Sequence, residues 1–471
     1  MEVSTEDRQQ EMKTVYEEIM KRAPEHSPQP SLERIAYILD LLGHPEQSFH
    51  VVQITGTNGK GSTSKLTEAL IRSYGLRTGL YTSPHLEKVN ERISIDGESI
   101  SDDTFIDTYK QIKDYIDLTD QHFAPINGTK MSFFEVLTTM AICAFADAPV
   151  DIAVMEVGMG GRWDATNILT ADVAIIGPID MDHMQWLGNT LEDIATEKAG
   201  IIKDNTTVIV GPQKTESVYN IIAEAATQKH NTHLLRDGEE LEVISRLPAV
   251  GGQVATLKTP LGTYTDVPIK MFGEHQSHNA LAALAACEAI LPINGVIDGQ
   301  ILADAFSTVN IPGRIEVIRN SPTVILDGAH NPHAIEHLVT AINENFAFKN
   351  IVGVVSMMKD KQVETVLSIL EPIFTQIVVT QNSNIGRVMP VEELAEIAKD
   401  VFGEDRVIVE PLLPNAIQTA VNNADVLDDT GLGYGCGVVI TGSFVTVGDA
   451  RMLLKHEQNK MLLKPKDQRV S

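Results

Sequence analysis

One run of residues, Ile54-Thr55-Gly56-Thr57-Asn58-Gly59-Lys60-Gly61-Ser62-Thr63, has the make-up of a phosphate cradle. Glycines let the backbone curl so that successive N–H groups face one anion, and a following helix adds partial positive charge. Lys60 has the reach for β- and γ-phosphates, and Ser62 or Thr63 offers a hydroxyl to phosphate or Mg2+. The run departs from GxxxxGK[ST], because Ile54 replaces the first glycine and Gly61 separates the lysine from the serine. A glycine-rich turn without a ligand is the plainer alternative. Loop, lysine and hydroxyls coincide between an apolar strand and a helix, so nucleotide binding is the stronger reading, with Thr57, Asn58, Gly59, Lys60, Gly61 and Ser62 as its residues.

Carboxylates and histidines stand at the ends of other apolar runs. Glu156 ends one, and Asp180-Met181-Asp182-His183 follows another. Ligands of open α/β sheets gather at the carboxyl ends of strands, and Mg2+ prefers oxygen donors while tolerating an imidazole. Glu156 therefore reads as a metal or Walker-B-like acid; His183 stands evenly between ligand and surface or capping histidine. A further cluster is Leu326-Asp327-Gly328-Ala329-His330-Asn331-Pro332. Its bland reading makes Asp327 or Asn331 a helix cap; its functional reading supplies a second domain's face to a cleft bridged by ATP. Gly158–Gly161 and Gly431–Gly437 fail the dinucleotide fingerprint, since Trp163 and Cys436 stand where its last glycine belongs. The second of these reads as a flexible loop before a strand, and neither supports NAD.

The elements that must hold these residues follow from periodicity. Pro30-Ser31 precedes apolar residues at helical spacing, Leu32 to Leu42, which Gly43 stops. Short apolar runs at 49–54, 151–155, 172–176 and 207–210 then alternate with helical patterns, the first of them 60–74. This predicts parallel βαβ units: a P-loop-type, doubly wound, mostly parallel α/β sheet. A β-rich insertion spans about 241–271, and helices resume from Glu274 to Phe306. Pro312 and Gly313 mark a boundary, giving an ATP-binding domain over 1–310 and a smaller Rossmann-like α/β domain over 311–471. The latter has strands at 323–326, 351–355, 376–379 and 438–440.

Composition narrows the class. The 471 residues suit two or three domains, and 37 Lys+Arg against 64 Asp+Glu leave a net charge of −27. That acidity disfavours nucleic acid and anionic lipid as partners. Three scattered cysteines, an acidic start and no long apolar run point to a cytoplasmic enzyme with no membrane span.

Taken together these motifs resemble the folylpolyglutamate synthase/dihydrofolate synthase family, within the wider group of Mur-type ATP-dependent amide ligases. The resemblance runs from about Ser31 to Arg451. It rests on 56–62, Thr82-Ser83-Pro84-His85-Leu86, Asn90-Glu91-Arg92-Ile93, Phe133-Phe134-Glu135, 156–167, Asp182-His183 and Glu197-Lys198-Ala199-Gly200. His275-Gln276, Asn279-Ala280, Pro312-Gly313-Arg314 and 327–332 complete it. The Lys-Gly-Ser loop separates the chain from typical Mur ligases, which have Lys-Thr-Thr.

The resemblance implies that a carboxylate of folate, or of dihydropteroate, attacks the γ-phosphate of ATP, and that glutamate's amine takes the acyl phosphate. It implies a Mg2+ held by Ser83, Glu156 and His183 with Ser62, and a carbamylated Lys198. Lys60, His183 and Lys198 then form the catalytic set. ATP would be reached by Arg314, Asp327 and His330 from the second domain, with Asn279 near adenine. Folate would meet Pro84, His85 and Arg92 on a mobile loop over 82–93, and Phe133 and Phe134 near the pterin, flanked by Ser132 and Glu135. Trp163 departs from the usual Leu or Phe, and the segment around Arg387 lacks the common Pro-Arg-Ala core. The family precedent is a monomer. The alternatives are a Mur-like ligase of a cell-wall precursor, a P-loop NTPase, for which the Asn-Lys-x-Asp guanine motif is missing, and an inactive nucleotide binder.

Overall fold

The computed structural model describes residues 5–24, 31–293, 296–428 and 435–463, with the side chains of 5, 6, 127 and 457–463 left aside. The start at 1–4, Pro30, and residues 431–434 of the second glycine cluster lie outside the described residues. The chain divides into two compact units: Met1–Leu247, Val254–Lys270 and His275–Val309 form one, and Pro248–Gln253, Met271–Glu274 and Asn310–Ser471 the other.

The first unit is built on eight strands: β1 (His50–Thr55), β2 (Thr78–Tyr81), β3 (Ile93–Ile95), β4 (Glu98–Ser99), β5 (Ile152–Glu156), β6 (Val173–Ile176), β7 (Thr207–Val210) and β8 (His233–Arg236). Their order is β4-β3-β2-β5-β1-β6-β7-β8. Every pair from β2 to β8 is parallel, while β3 and β4 add an antiparallel edge. Five of the six residues of β1 are buried, as a strand covered on both faces requires. Its register with β5 sets Ile54 opposite Glu156, and with β6 sets Thr55 opposite Ile176. The strand ends that carry the chemistry therefore meet at one rim of the sheet. The β-rich insertion is a separate sheet of β9 (Glu242–Ala249), β10 (Gly252–Lys258) and β11 (Thr263–Ile269) in the order β11-β10-β9.

The second unit holds β12 (Glu316–Asn320), β13 (Thr323–Leu326), β14 (Asn350–Val355), β15 (Gln376–Gln381), β16 (Val407–Leu412) and β17 (Cys436–Thr441). The order is β12-β13-β17-β14-β15-β16, parallel throughout except the β12 edge. Cys436 and Gly437, read from sequence as loop, already belong to β17. The edge strands β12 and β16 were not anticipated: β12 has only Val317 and Ile318 between charged residues, whereas β16 opens on Val407-Ile408-Val409, a run as apolar as that of β13, which the sequence reading passed over.

Candidate active site

The loop between β1 and the helix Lys60–Ser73 is held from below. Thr57 Oγ1 donates to the Asp180 carbonyl and accepts from the Asp180 N–H, both at 3.0 Å. Gly177 N donates to Thr55 O at 2.8 Å, and Gln213 in turn binds the Gly177 and Gly211 carbonyls and the Ile179 N–H. Gly59 is the helix N-cap at φ +82°, and a Cβ there would stand 2.6 Å from Asn279 Oδ1. Glycine is thus required twice over, by left-handed backbone and by the close approach of Asn279. Gly59 itself offers no side chain to cap this helix.

Two ammonium groups converge on one carbonyl here. Lys60 Nζ donates to Gly56 O at 3.0 Å, and Lys198 Nζ donates to the same oxygen at 2.8 Å. Lys198 is buried; desolvation, then repulsion by Lys60, pulls its amine down to about 7. Desolvation and the repulsion of Lys60 outweigh the pull of Asp182, Asp164 and Glu197 on Lys198, so an anion brought between the two lysines would be held by both. Lys198 reaches this place because Gly161 lets the end of helix Leu191–Ala199 pack against it: a Cβ on Gly161 would meet Glu197 O at 2.7 Å.

Glu156 is buried at the end of β5, where its Oε2 accepts the Ser83 N–H at 3.1 Å. The position of a Cβ on Gly61 is 3.5 Å from that same oxygen, which sets the carboxylate over the helix start beside buried Ser62. Ser62, Ser83 and Glu156 are thereby gathered. His183 sits on the β6 side of the rim in left-handed backbone (φ 50°), its Nε2 3.9 Å from Asp182. Among the described residues no group of three or more His, Cys, Asp or Glu could enclose a metal. Mg2+ needs no such cage, being held commonly by one or two carboxylates, substrate phosphates and water, and the Glu156 donor set fits that pattern.

The loop after β2 is braced rather than loose. Glu91 accepts the N–H groups of Leu86, Glu87 and Lys88, and Arg92 Nε donates to His85 Nδ1 at 2.9 Å. Arg92 lies 5.3 Å above the Phe133 ring. Phe133 and Phe134 therefore part company, since only Phe134 lines a cleft of about 250 Å³ with Ser132, Gly158, Asp164, Trp163, Trp186 and Glu197. The Phe134 ring lies where a side chain at Gly158 would be, 2.6 Å from its Cβ position. Trp163 and Trp186 stay 52% and 40% exposed on the cleft rim. Asp164 is a fixed floor group, accepting Met159 N, Thr166 N and Thr166 Oγ1. Glu135 is already engaged, by Arg34 Nε at 3.0 and 3.2 Å and by Ser132 N at 2.7 Å. Trp186, Gln213 and Arg34 were missed in the sequence; the one signal for Trp186 was a bulky aromatic three residues after His183.

Two domain models match the chain: the Mur ligase middle domain over residues 54–287, and the Mur ligase glutamate ligase domain over 313–444. The dihydrofolate synthase/folylpolyglutamate synthase of Mycobacterium tuberculosis is 43% identical over 449 residues, 92% of each chain. The chain belongs to the dihydrofolate synthase/folylpolyglutamate synthase family. The Bacillus subtilis dihydrofolate synthase/folylpolyglutamate synthase is 34% identical over 346 residues, 73% of this chain and 79% of its own. The Mycobacterium tuberculosis folylpolyglutamate synthase structure complexed with ADP and AMPPCP superposes with a TM-score of 0.89 at 42% identity, covering 95% and 99% of the two chains. This enzyme is an ATP-dependent ligase that adds glutamate to folate, with the two α/β domains expected for the family.

In the ligase's second unit the remaining candidates cluster around Phe444. Arg314 Cζ lies 4.4 Å over its ring and the His330 ring 5.9 Å from it. Asp327 is buried and accepts Ile315 N and Ala329 N; burial pushes its carboxyl up against the pull of Arg314. Asn331, not Asp327, caps the helix Pro332–Asn345 by accepting Ala334 N. Arg387 pairs with exposed Asp360. Among the described residues no helix is long and apolar enough to cross a membrane.

Proposed function

We propose that the phosphate loop and the aromatic cleft of the first unit are the two halves of one acyl-activating site. The observation that carries this is their shared wall. Gly158 and Glu197 line the cleft, while their neighbours Gly160 and Lys198 bond the loop, through Thr55 Oγ1 at 2.6 Å and Gly56 O at 2.8 Å. A pteridine between Phe134 and the two indoles, anchored at Asp164, would send its carboxylate tail past this wall toward the phosphates.

A carboxylate oxygen attacks the γ-phosphorus of ATP, the bond to the β-bridging oxygen breaks, and ADP leaves. Glutamate's neutral amine then attacks the acyl carbon, phosphate departs, and an amide forms. Free carboxylate does not undergo this exchange because O⁻ is a very poor leaving group. The protein's task is positioning and charge neutralisation. Lys60 leaves the Gly56 carbonyl for the β/γ-phosphates, and the amides at the helix start donate to phosphate oxygens. Asn279, which abuts Gly59, is the candidate for the adenine, and Arg314, Asp327 and His330 are the second unit's own candidates for ATP, on the family resemblance. Pro84, His85 and Arg92 face the folate tail, with Phe133 supporting Arg92. Bound Mg2+, held by Ser62, Ser83, Glu156 and His183, would neutralise charge on the transferred phosphoryl group. Lys198, with an amine near 7, is suited to capture CO2 as a carbamate, which requires the neutral form.

We read the acceptor range as including dihydropteroate, with residues 1–310 and 311–471 as the two catalytic domains. Three buried, unbridged cysteines support a reducing, cytoplasmic setting, and the monomer follows family precedent. The test supplies MgATP and glutamate and compares dihydropteroate, tetrahydrofolate and a UDP-linked cell-wall precursor by ADP release. Turnover with either pteroyl substrate is expected; turnover with only the cell-wall precursor would overturn the assignment.

A further inference from the structure

The helix Pro332–Asn345 carries His333 and His337 one turn apart, with their Nε2 atoms 3.0 Å from each other. The ring centroids are 4.4 Å apart and the planes cross at 78°. Residues at i and i+4 share a helix face, but only rotamers turned toward each other bring the two equivalent nitrogens together. Both residues are half-buried, and neither has a part in the ligation chemistry above. With metal–nitrogen bonds of ~2.0–2.1 Å, nitrogens at this separation subtend roughly 90° at a shared ion. That is a cis edge of an octahedral or square-planar ion, as Ni2+ and Cu2+ favour, and is narrower than tetrahedral Zn2+ prefers.

We propose that His333 and His337 form a divalent transition-metal site of the Ni2+ or Cu2+ class. Between neutral rings one Nε2–H donates to the other Nε2. On binding, that proton moves to Nδ1 of its own ring, both Nε2 lone pairs go to the metal, and no net proton is released. Among the described residues no group of three or more His, Cys, Asp or Glu could hold a metal. The remaining coordination positions therefore fall to water or an exogenous ligand. The clamp would tie the first two turns of the helix that Asn331 caps.

Ni2+ alone, titrated into the full chain against a chromogenic chelator without nucleotide, tests the site. One equivalent should bind the unmutated chain and raise its Tm. His333→Gln and His337→Gln should each lose at least ~10-fold in affinity, as expected when one of two ligands is removed, while exposed His233→Gln keeps it. No uptake by the unmutated chain, or retention in either pair variant, overturns the proposal. Independently of any variant, one equivalent of Cu2+ should show hyperfine coupling to two imidazole nitrogens in electron paramagnetic resonance; coupling to one or none overturns it too.

Discussion

The molecule contains two strand–turn–helix junctions that look alike in sequence and differ in how their helix begins. After β1, the helix Lys60–Ser73 starts at Gly59, a cap residue without a side chain, and two lysines donate to the Gly56 carbonyl. After β13, the helix Pro332–Asn345 starts at Asn331, whose side chain occupies the Ala334 amide, and Asp327 is satisfied by two backbone N–H groups. The first junction presents a glycine N-cap and two converging lysines; the second caps its helix with the Asn331 side chain. Glycine and a following helix therefore do not make a phosphate site. The glycine N-cap and the two lysines on one carbonyl set the first junction apart.

The sharpest way to break this contrast is Lys60→Ala. ADP formation should fall by ~100-fold or more, the scale of removing a charge-stabilising group, with the far-UV circular dichroism unchanged. Activity retained within tenfold would put the loop outside the chemistry. Next comes Lys198→Met, read through pH. The folded amine sits near 7 against an ordinary 10.5, so above pH 7 the folded chain binds fewer protons than the unfolded one. The stability of the unmutated chain should therefore rise relative to the variant between pH 7 and 10, by up to about 1.4 kcal/mol per pH unit. Parallel denaturation profiles would mean that Lys198 stays charged. Gly59→Ala should cost about 1–2 kcal/mol from its left-handed backbone, plus the 2.6 Å approach to Asn279, and should raise the KM for MgATP. A variant with both stability and KM intact would refute the tight cradle. The smallest effect belongs to the second junction, where Asn331→Ala should lose about 1 kcal/mol of stability, the worth of a cap, without changing the order of magnitude of ADP release. A collapse of activity there would erase the distinction between the junctions.

What could be read before folding was local. The Gly56–Ser62 loop, the strand-end Glu156 and the αβ alternation each lie within a short window whose chemistry is self-contained. Contacts between distant segments were not available in that way. Lys198 meets Gly56 across 142 residues, and Arg34 meets Glu135 across 101. Without the family resemblance, Lys198 would have passed for a surface lysine, although it is buried. Phe133 and Phe134 were indistinguishable by pattern, because adjacent residues at a helix start point in different directions: one lies under Arg92, the other in the cleft. The antiparallel edges β3–β4 and β12 were silent for another reason, being short and partly exposed, with few apolar positions to report them.

The cleft rim has a practical corollary. The chain has only two tryptophans, and both stand half in water at the mouth of the same cleft. Its indole emission is consequently a one-site gauge. A pteridine entering there would quench and blue-shift it, whereas nucleotide binding at the loop would leave it nearly untouched. The order in which the two substrates arrive is thus readable by eye in a fluorimeter, without a label.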